Sequence, residues 1–290
     1  MQKKFYEEKK SSRIILGVIL SFIVGFLILL VGEFLMGLGF IGLFALGFPL
    51  IDSLELKLFS FTSILLVTLF WARVIEKSSY AALGLRKERA LKDFFIGWLI
   101  GGALLTTCVI IMYLLGALNF NGFNLSINVV IRFLILMVLW SIQGSTEELL
   151  ARGWMFSSIS AKYSVYFGII FSSLFFSLLH LGNNGLSIIP IIDLVLFGVM
   201  ACLFMLKTNS LWMVCGIHAA WNCFQGNVFS FKVSGIDSGV AFIDIVTKGN
   251  SLINGGAFGV EGSLISVIVQ VIVIIYLSYD LYQKGRLGVK

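Results

Sequence analysis

The sequence predicts an all-α fold, a polytopic bundle of about eight membrane-spanning helices. Of its 290 residues, 59% are hydrophobic and only 12% are charged. With a mean hydropathy of +1.01, such a chain has too little polar sequence to cover a soluble core. Its apolar residues also come in runs of roughly 20, the length of a helix that crosses a bilayer. Residues 1–290 are therefore expected to form a single membrane domain.

The predicted spans are successive apolar runs separated by polar connections. They are expected at residues 14–32, 58–75, 94–117, 131–152, 164–181, 187–206, 210–229 and 263–281. The run at 34–51, beyond Glu33, is also apolar, which allows a second short or re-entrant segment there. The basic tail at residues 1–13 precedes an apolar run that is too long for a signal peptide and has no A-x-A cleavage site. An uncleaved anchor is therefore expected.

The distribution of basic residues predicts how the bundle is oriented. If both termini are cytoplasmic, 17 of the 21 Lys and Arg residues lie on the inside, as the positive-inside rule requires. The net charge of +6 does not indicate nucleic-acid binding, because the basic residues lie between apolar runs. We therefore predict an integral protein of the plasma membrane, in contact with membrane lipids and with both termini in the cytoplasm.

Only two of the predicted extramembrane stretches are long. Residues 76–93 form a basic cytoplasmic loop, and residues 230–262 form an outer loop rich in Gly, Ser and Asn. The outer loop has the composition of a flexible connector, but it is equally suited to cap a site or to bind a partner. The four cysteines fall in apolar segments without a C-x-x-C pair, so we interpret them as small core residues.

Three ionisable residues stand together in the fourth predicted span, in the motif E-E-x-x-x-R. Glu148 and Arg152 are spaced i,i+4 and are expected to pair on one helix face, whereas Glu147 points about 100° away. A charge within a membrane helix costs roughly 2.5–3.5 kcal/mol by insertion scales, so a function is expected. Glu147 is a candidate general base for water. The alternative is a helix end in the headgroup region, where charges are ordinary.

Both histidines of the chain lie in later apolar segments. In the motif F-x-x-x-H, Phe176 precedes His180 by one helical turn and can pack against its imidazole. A single histidine on an apolar helix is, however, more often structural. In the motif H-x-x-x-N, His218 and Asn222 share a face, where they are suited either to stabilise an oxyanion or to join helices by a polar contact. Together the motifs place carboxylates, imidazoles and an amide on three membrane segments.

Other intramembrane protease chemistries do not fit this sequence. It has no G-x-S-x-G motif, no H-E-x-x-H zinc helix and no G-x-G-D partner for the Tyr279-Asp280 pair. Of the intramembrane protease chemistries considered, only a site built from glutamate and histidine fits the sequence.

The three motifs, at 147–152, 176–180 and 218–222, resemble those of the CPBP family of membrane proteins. This family groups CAAX prenyl endopeptidases with Abi-type proteins of bacteriocin processing and immunity. The similar core covers about residues 130–230, and the segment L-G-L-R-K at 83–87 resembles the loop that often precedes it. The resemblance implies an all-helical intramembrane protease with a polar cavity. Its substrate would be a membrane-associated peptide that is lipidated or prenylated, or a bacteriocin-like peptide.

By position, the resemblance also implies roles for individual residues. The implied catalytic residues are Glu147, His180, His218 and Asn222, and the implied supporting residues are Glu148, Arg152 and Phe176. Glu147 would activate water with His180 as its partner. His218 and Asn222 would steady the oxyanion. Both metalloprotease and metal-free glutamate mechanisms have been argued for the family; a zinc ion, if used, would be bound by Glu147, His180 and His218.

Two other functions are compatible with the same residues. A non-proteolytic membrane protein would confer bacteriocin self-immunity by binding a peptide in the cavity. A small-solute or proton transporter would also carry ionisable residues within the membrane. A transporter would favour internal repeats and paired broken helices, which the sequence does not show.

Overall fold

The computed structural model describes residues 3–47 and 53–287, and helices dominate the described part. The helices in chain order are α1 (Phe5–Lys9), α2 (Val18–Ala45), α3 (Leu54–Phe70), α4 (Ala90–Leu114), α5 (Ile127–Glu148), α6 (Ser157–Lys162), α7 (Val165–Leu178), α8 (Ile188–Thr208), α9 (Leu211–Cys223), α10 (Ser251–Asn254) and α11 (Leu264–Gln283). Three of them continue as π-helix: α3 through Trp71–Ile75, α5 through Leu149–Phe156 and α9 through Phe224–Val228. Short 3₁₀ turns lie at Ala81–Leu83 and Val260–Gly262.

The structure confirms the predicted all-α, polytopic fold class, with 71% of the described residues helical. A helix lies at each of the eight predicted spans. In the part of the chain that the structure describes, six helices are long and apolar enough to cross a membrane: Val18–Ala45, Leu54–Ile75, Ala90–Leu114, Ile127–Lys162, Ile188–Thr208 and Leu264–Gln283. Of the other two, α7 has 14 residues, fewer than the roughly 20 that a full crossing requires. α9 has 13 residues and continues as π-helix to Val228, but this helix is not among the candidate spans, since it carries the polar His218, Asn222, Gln225 and Asn227.

The first predicted span and the apolar run that follows it form one helix. α2 runs from Val18 to Ala45 without a break, because no proline interrupts it. The separate segment that the sequence allowed beyond Glu33 is therefore not present in residues 34–47, and its remainder lies outside the described residues. Gly32 brings α2 against α3, where an added Cβ would lie 2.6 Å from the side chain of Ile64.

The fourth helix is longer than predicted, and its length sets the depth of the candidate site. α5, its π-helical continuation and α6 form one helix of 36 residues that ends at Lys162. The sequence placed the end of this span near residue 152, but it also allowed a continuation through Met155–Ser160 as one way for Glu147 and His180 to meet. After a short turn, α7 starts at Val165. Glu147 precedes Lys162 by 15 residues and His180 follows Val165 by 15 residues, about 22 Å in each case at 1.5 Å per residue. Antiparallel packing of the two arms therefore brings Glu147 and His180 to a similar depth.

Residues 230–262, predicted to lie outside and called the outer segment below, are folded and carry one strand of a small sheet. The strands β1 (Leu118–Phe123) and β2 (Ile243–Thr247) pair antiparallel, with an irregularity between Phe120 and Gly122. Neither strand was predicted, because each depends on a partner that is distant in sequence. The described part of this segment is therefore ordered, and its role as a cap or as a partner-binding surface stays a prediction.

Many of the basic residues predicted to lie inside gather at one end of the bundle, opposite to the small sheet. Arg86 donates to the backbone oxygen of Lys3 at 2.8 Å, and the Asn209 side-chain amide donates to the same oxygen at 3.0 Å. Arg286 donates to the backbone oxygen of Lys207 at 2.6 Å. These contacts tie both ends of the described chain to the same face. The assignment of this face to the cytoplasm remains a prediction.

Glycines allow α4 and α9 to pack backbone against backbone. A Cβ at Gly97 would overlap the carbonyl oxygen of Met213, and a Cβ at Gly101 would overlap that of Ile217. On α9, Gly216 faces the carbonyl oxygen of Phe94 in the same way. Small residues at i,i+4 are a common device for close helix packing in membranes. The packing holds α9, which carries His218, in the centre of the bundle.

Candidate functional site

A cavity of about 140 Å³ is lined by residues of α3, α5, α7, α8 and α9, with the outer segment closing one side. All four residues that the sequence proposed as catalytic line this cavity: Glu147, His180, His218 and Asn222. Polar lining residues that lie outside the three sequence motifs include Gln143, Asp193, Ser234 and Glu261. The structure thus brings the three motifs to one place.

Glu147 is held through one of its carboxylate oxygens. Gln143 donates from Nε2 to Glu147 Oε1 at 2.6 Å, and Asn222 donates from Nδ2 to Gln143 Oε1 at 2.9 Å. Glu147 Oε2 lies 3.8 Å from Nε2 of His218. Among the described residues, this buried oxygen has no hydrogen-bond partner. One oxygen therefore orients the carboxylate, and the other keeps its capacity to accept a proton.

Glu148 and Arg152 form the predicted i,i+4 ion pair, and both side chains are fully buried. Arg152 Nη1 lies 2.9 Å from Glu148 Oε1, and His218 Nδ1 contacts the same oxygen at 2.9 Å. An ionised carboxylate can only accept, so Nδ1 of His218 carries the proton and donates it. Nε2 of His218 is then the nitrogen on the side of Glu147, and Glu148 fixes the tautomer.

Phe176 joins the two histidines to the ion pair. Its ring centre lies 4.9 Å from that of His180 and 5.8 Å from that of His218. The guanidinium carbon of Arg152 lies 4.2 Å from the centre of the Phe176 ring, a cation–π contact. His180 donates from Nδ1 to the backbone oxygen of Phe176 at 2.9 Å, since a carbonyl can only accept. This bond does not use the other ring nitrogen of His180, Nε2.

A glycine next to the diglutamate lets the site assemble. A Cβ at Gly144 would lie 3.1 Å from the backbone nitrogen of Ala219 and 3.3 Å from Cγ of His218. The bare backbone of α5 therefore approaches α9 closely enough for Glu148 to contact His218. After Glu148, α5 changes to π-helix over Leu149–Phe156. Such stretches within α-helices are frequent at functional sites.

The residues present do not form a three-ligand metal site. In the described residues, no three His, Cys, Asp or Glu side chains are placed together to hold a metal ion. His218 has Nδ1 occupied by Glu148 and Nε2 next to Glu147. The zinc set that the resemblance suggested, Glu147 with His180 and His218, is therefore not assembled.

Three further polar residues line the cavity, and the sequence offers different grounds for predicting each of them as a site residue. Gln143 precedes Glu147 by four residues, so helical spacing alone would place it on the same face. Asp193 is an acid inside the predicted span at 187–206, a signal of the same kind as the diglutamate. Glu261 gives no such signal, because it reaches the cavity from the outer segment.

The fold and the site together define an integral membrane protein with a buried carboxylate and imidazole centre. The model of the Rce1-like family, the type II CAAX prenyl endopeptidases, matches residues 126–224. The matched segment begins at the start of α5, ends just after α9 and includes all three motifs. The match confirms the resemblance and, at the level of the family, supports a membrane protease of the CAAX type. No curated protein and no solved structure matches the chain.

Proposed function

We propose that this protein is an intramembrane endopeptidase in which Glu147 activates a water molecule. The observation that carries the proposal is the asymmetric environment of Glu147. One of its oxygens is fixed by Gln143, and the other is a buried acceptor on a polar cavity. A general base must be oriented and must still have a lone pair for the proton that it takes.

The reaction can be written with the residues of the cavity alone. Glu147 takes a proton from water, and the hydroxide attacks the carbonyl carbon of the scissile peptide bond. A tetrahedral oxyanion forms. When it collapses, the C–N bond breaks and the leaving nitrogen receives the proton that Glu147 carries. The products are a carboxylic acid and an amine, so atoms and charge balance.

His180, His218 and Asn222 are placed to stabilise the oxyanion. Asn222 uses one amide N–H for Gln143 and has a second one to donate. The two histidines donate to backbone or carboxylate oxygens through Nδ1, so each has Nε2 available when protonated. Donors held in this way stabilise charge that develops in the transition state, typically by about 2.7–4 kcal/mol for one donor.

The ion pair of Glu148 and Arg152 has a positioning role in this proposal. Neither side chain is exposed, and neither lines the cavity. Their contribution is to orient His218 through Nδ1 and to hold Phe176 against the guanidinium. We propose a membrane-associated peptide as the substrate, because the site is embedded in the helix bundle.

The test is a cleavage assay in reconstituted bilayers with a panel of membrane-tethered peptides, prenylated, acylated and unmodified. Glu147→Gln should lower the cleavage rate by about 10²–10⁴-fold, the usual contribution of a general base. Glu88→Gln is the matched control, since it makes the same chemical change at an exposed residue. A wild-type rate in E147Q would refute the assignment of the base.

Two further arms separate the remaining alternatives. A zinc chelator should leave the wild-type rate unchanged; chelator-sensitive cleavage would show that a metal assembles the site. If wild type cleaves no peptide of the panel, yet binds bacteriocin-like peptides and E147Q retains this binding, the protease proposal fails and the immunity role replaces it.

A further inference from the structure

Asp193 is a buried acid on the cavity with unused acceptor capacity. It lies on α8, is 1% exposed and lines the same cavity as Glu147. Its Oδ1 is buried and, among the described residues, has no hydrogen-bond partner. A buried polar atom without a partner costs about 1–3 kcal/mol, and more when it is charged. Ser266 and Gln270 of α11 interact with the Asp193 side chain, but neither completes a hydrogen bond to Oδ1, so this oxygen keeps acceptor capacity for a further donor.

Glu261 is a second carboxylate on the same cavity and is rigidly held. Its Oε2 accepts from Ser234, through the backbone nitrogen at 2.8 Å and the hydroxyl at 3.0 Å, and from Gln225 Nε2 at 3.1 Å. All three bonds go to one oxygen, so Oε1 keeps its acceptor capacity. Glu261, Asp193 and His180 all line this cavity.

The described lining of this part of the cavity is rich in acids and contains no lysine or arginine. Glu148 is neutralised by Arg152, but Glu147, Asp193 and Glu261 have no lysine or arginine partner among the described residues of the lining. Buried carboxylates that repel each other are stabilised when a cation enters between them. An acidic group would be repelled at the same place.

We propose that Asp193 and Glu261 form a subsite for a positively charged group, an ammonium or guanidinium, next to the water-activating Glu147. As a statement about substrate, this inference rests on the proposed function: the peptide would carry a Lys or Arg side chain, or a free amino terminus, near the scissile bond. As a statement about binding, it stands independently of catalysis.

The first experiment measures binding alone. Dansylcadaverine, which carries a primary ammonium, is compared with its N-acetylated, uncharged form on protein in lipid nanodiscs. Wild type should bind the ammonium form about 10-fold more tightly or better, the effect of one hydrogen bond to a charged group. Asp193→Asn and Glu261→Gln should each reduce this preference. Asp244→Asn, which changes an exposed acid outside the cavity, should leave it intact.

Two outcomes of the binding experiment would overturn the subsite. One is equal affinity of wild type for the two probes. The other is an unchanged preference in both D193N and E261Q, provided that both are folded by size-exclusion chromatography. If either variant does not fold, the comparison of the two probes on wild type decides alone.

The second experiment connects the subsite to cleavage. Tethered peptides that differ only in Lys, norleucine or Glu beside the scissile bond should be cleaved in that order, and D193N should lessen the advantage of Lys over norleucine. Equal cleavage of the Lys and norleucine peptides would exclude the subsite from substrate selection. Absence of all cleavage, with the ammonium preference retained, would refute the protease and leave the cation site standing.

Discussion

Replacing Arg152 by Met should destabilise the protein far more than replacing an exposed arginine. The change leaves Glu148 as a fully buried carboxylate without its cation. Breaking a buried ion pair from one side costs about 3–5 kcal/mol, because the remaining charge has lost its compensation. The cation–π contact with Phe176 is lost as well. His218 still donates to Glu148, so we expect the lower part of that range, about 3 kcal/mol.

The assay is denaturant unfolding in detergent, followed by tryptophan fluorescence, which yields the free energy of unfolding. The matched control is Arg132→Met. Arg132 also pairs with a glutamate, Glu55, at 2.8 Å, but the two side chains are 44% and 28% exposed. An exposed pair contributes only about 0–1 kcal/mol. If R152M is no more destabilising than R132M, the buried ion pair does not compensate the charge of Glu148.

A double variant tests the reason for the effect and not only its size. In Glu148→Gln with Arg152→Met, both charges are removed together, so no uncompensated charge stays buried. Most of the stability lost in R152M should return, since replacing a whole buried ion pair is often close to neutral. A double variant that is less stable than R152M alone would show that packing, not charge, explains the loss.

Two other perturbations have outcomes that follow from the structure. Gly101→Ala should destabilise the protein by about 1–3 kcal/mol, because the new Cβ overlaps the backbone of α9; Gly39→Ala, which meets nothing within 4 Å, should not. Burial raises the pKa of Glu261 above its ordinary value of 4.5. Its folded state therefore binds a proton more strongly than the unfolded state. Stability from this group is complete below pH 4.5 and is lost as pH rises through the raised pKa. Unfolding titrations at several pH values should show that loss in wild type but not in Glu261→Gln; equal slopes would contradict it.

The positions of the helices could be predicted from the sequence, because a membrane requires long apolar runs and the runs are visible. The pairing of Glu148 with Arg152 was equally accessible, since i,i+4 spacing is a local property of one helix. The two strands were not accessible, because β1 and β2 acquire their structure only from each other. The presence of Glu261 and Asp193 on one cavity could not be predicted for the same reason, because it depends on how the outer segment folds back to the cavity.

The difference between the predicted and observed ends of the fourth span has a specific physical cause. The residues after Arg152 become more polar, with Ser157, Ser158 and Ser160, and composition alone suggests that the membrane segment has ended. In the structure these serines are buried and the helix continues through them to Lys162. A helix end placed at residue 152 puts Glu147 at the wrong depth for contact with the fifth span.

The different roles of two adjacent glutamates follow from the geometry of a helix. Consecutive residues point about 100° apart, so Glu147 and Glu148 face different neighbours although only one peptide bond separates them. Glu148 meets Arg152 and His218 and is held as a carboxylate. Glu147 meets Gln143 and the cavity, with one oxygen unused. His218 contacts Glu148 through Nδ1 and faces Glu147 through Nε2. Glu148 therefore sets the tautomer of the imidazole that faces Glu147, and under the proposed mechanism a change at Glu148 should alter the reaction at Glu147 through His218.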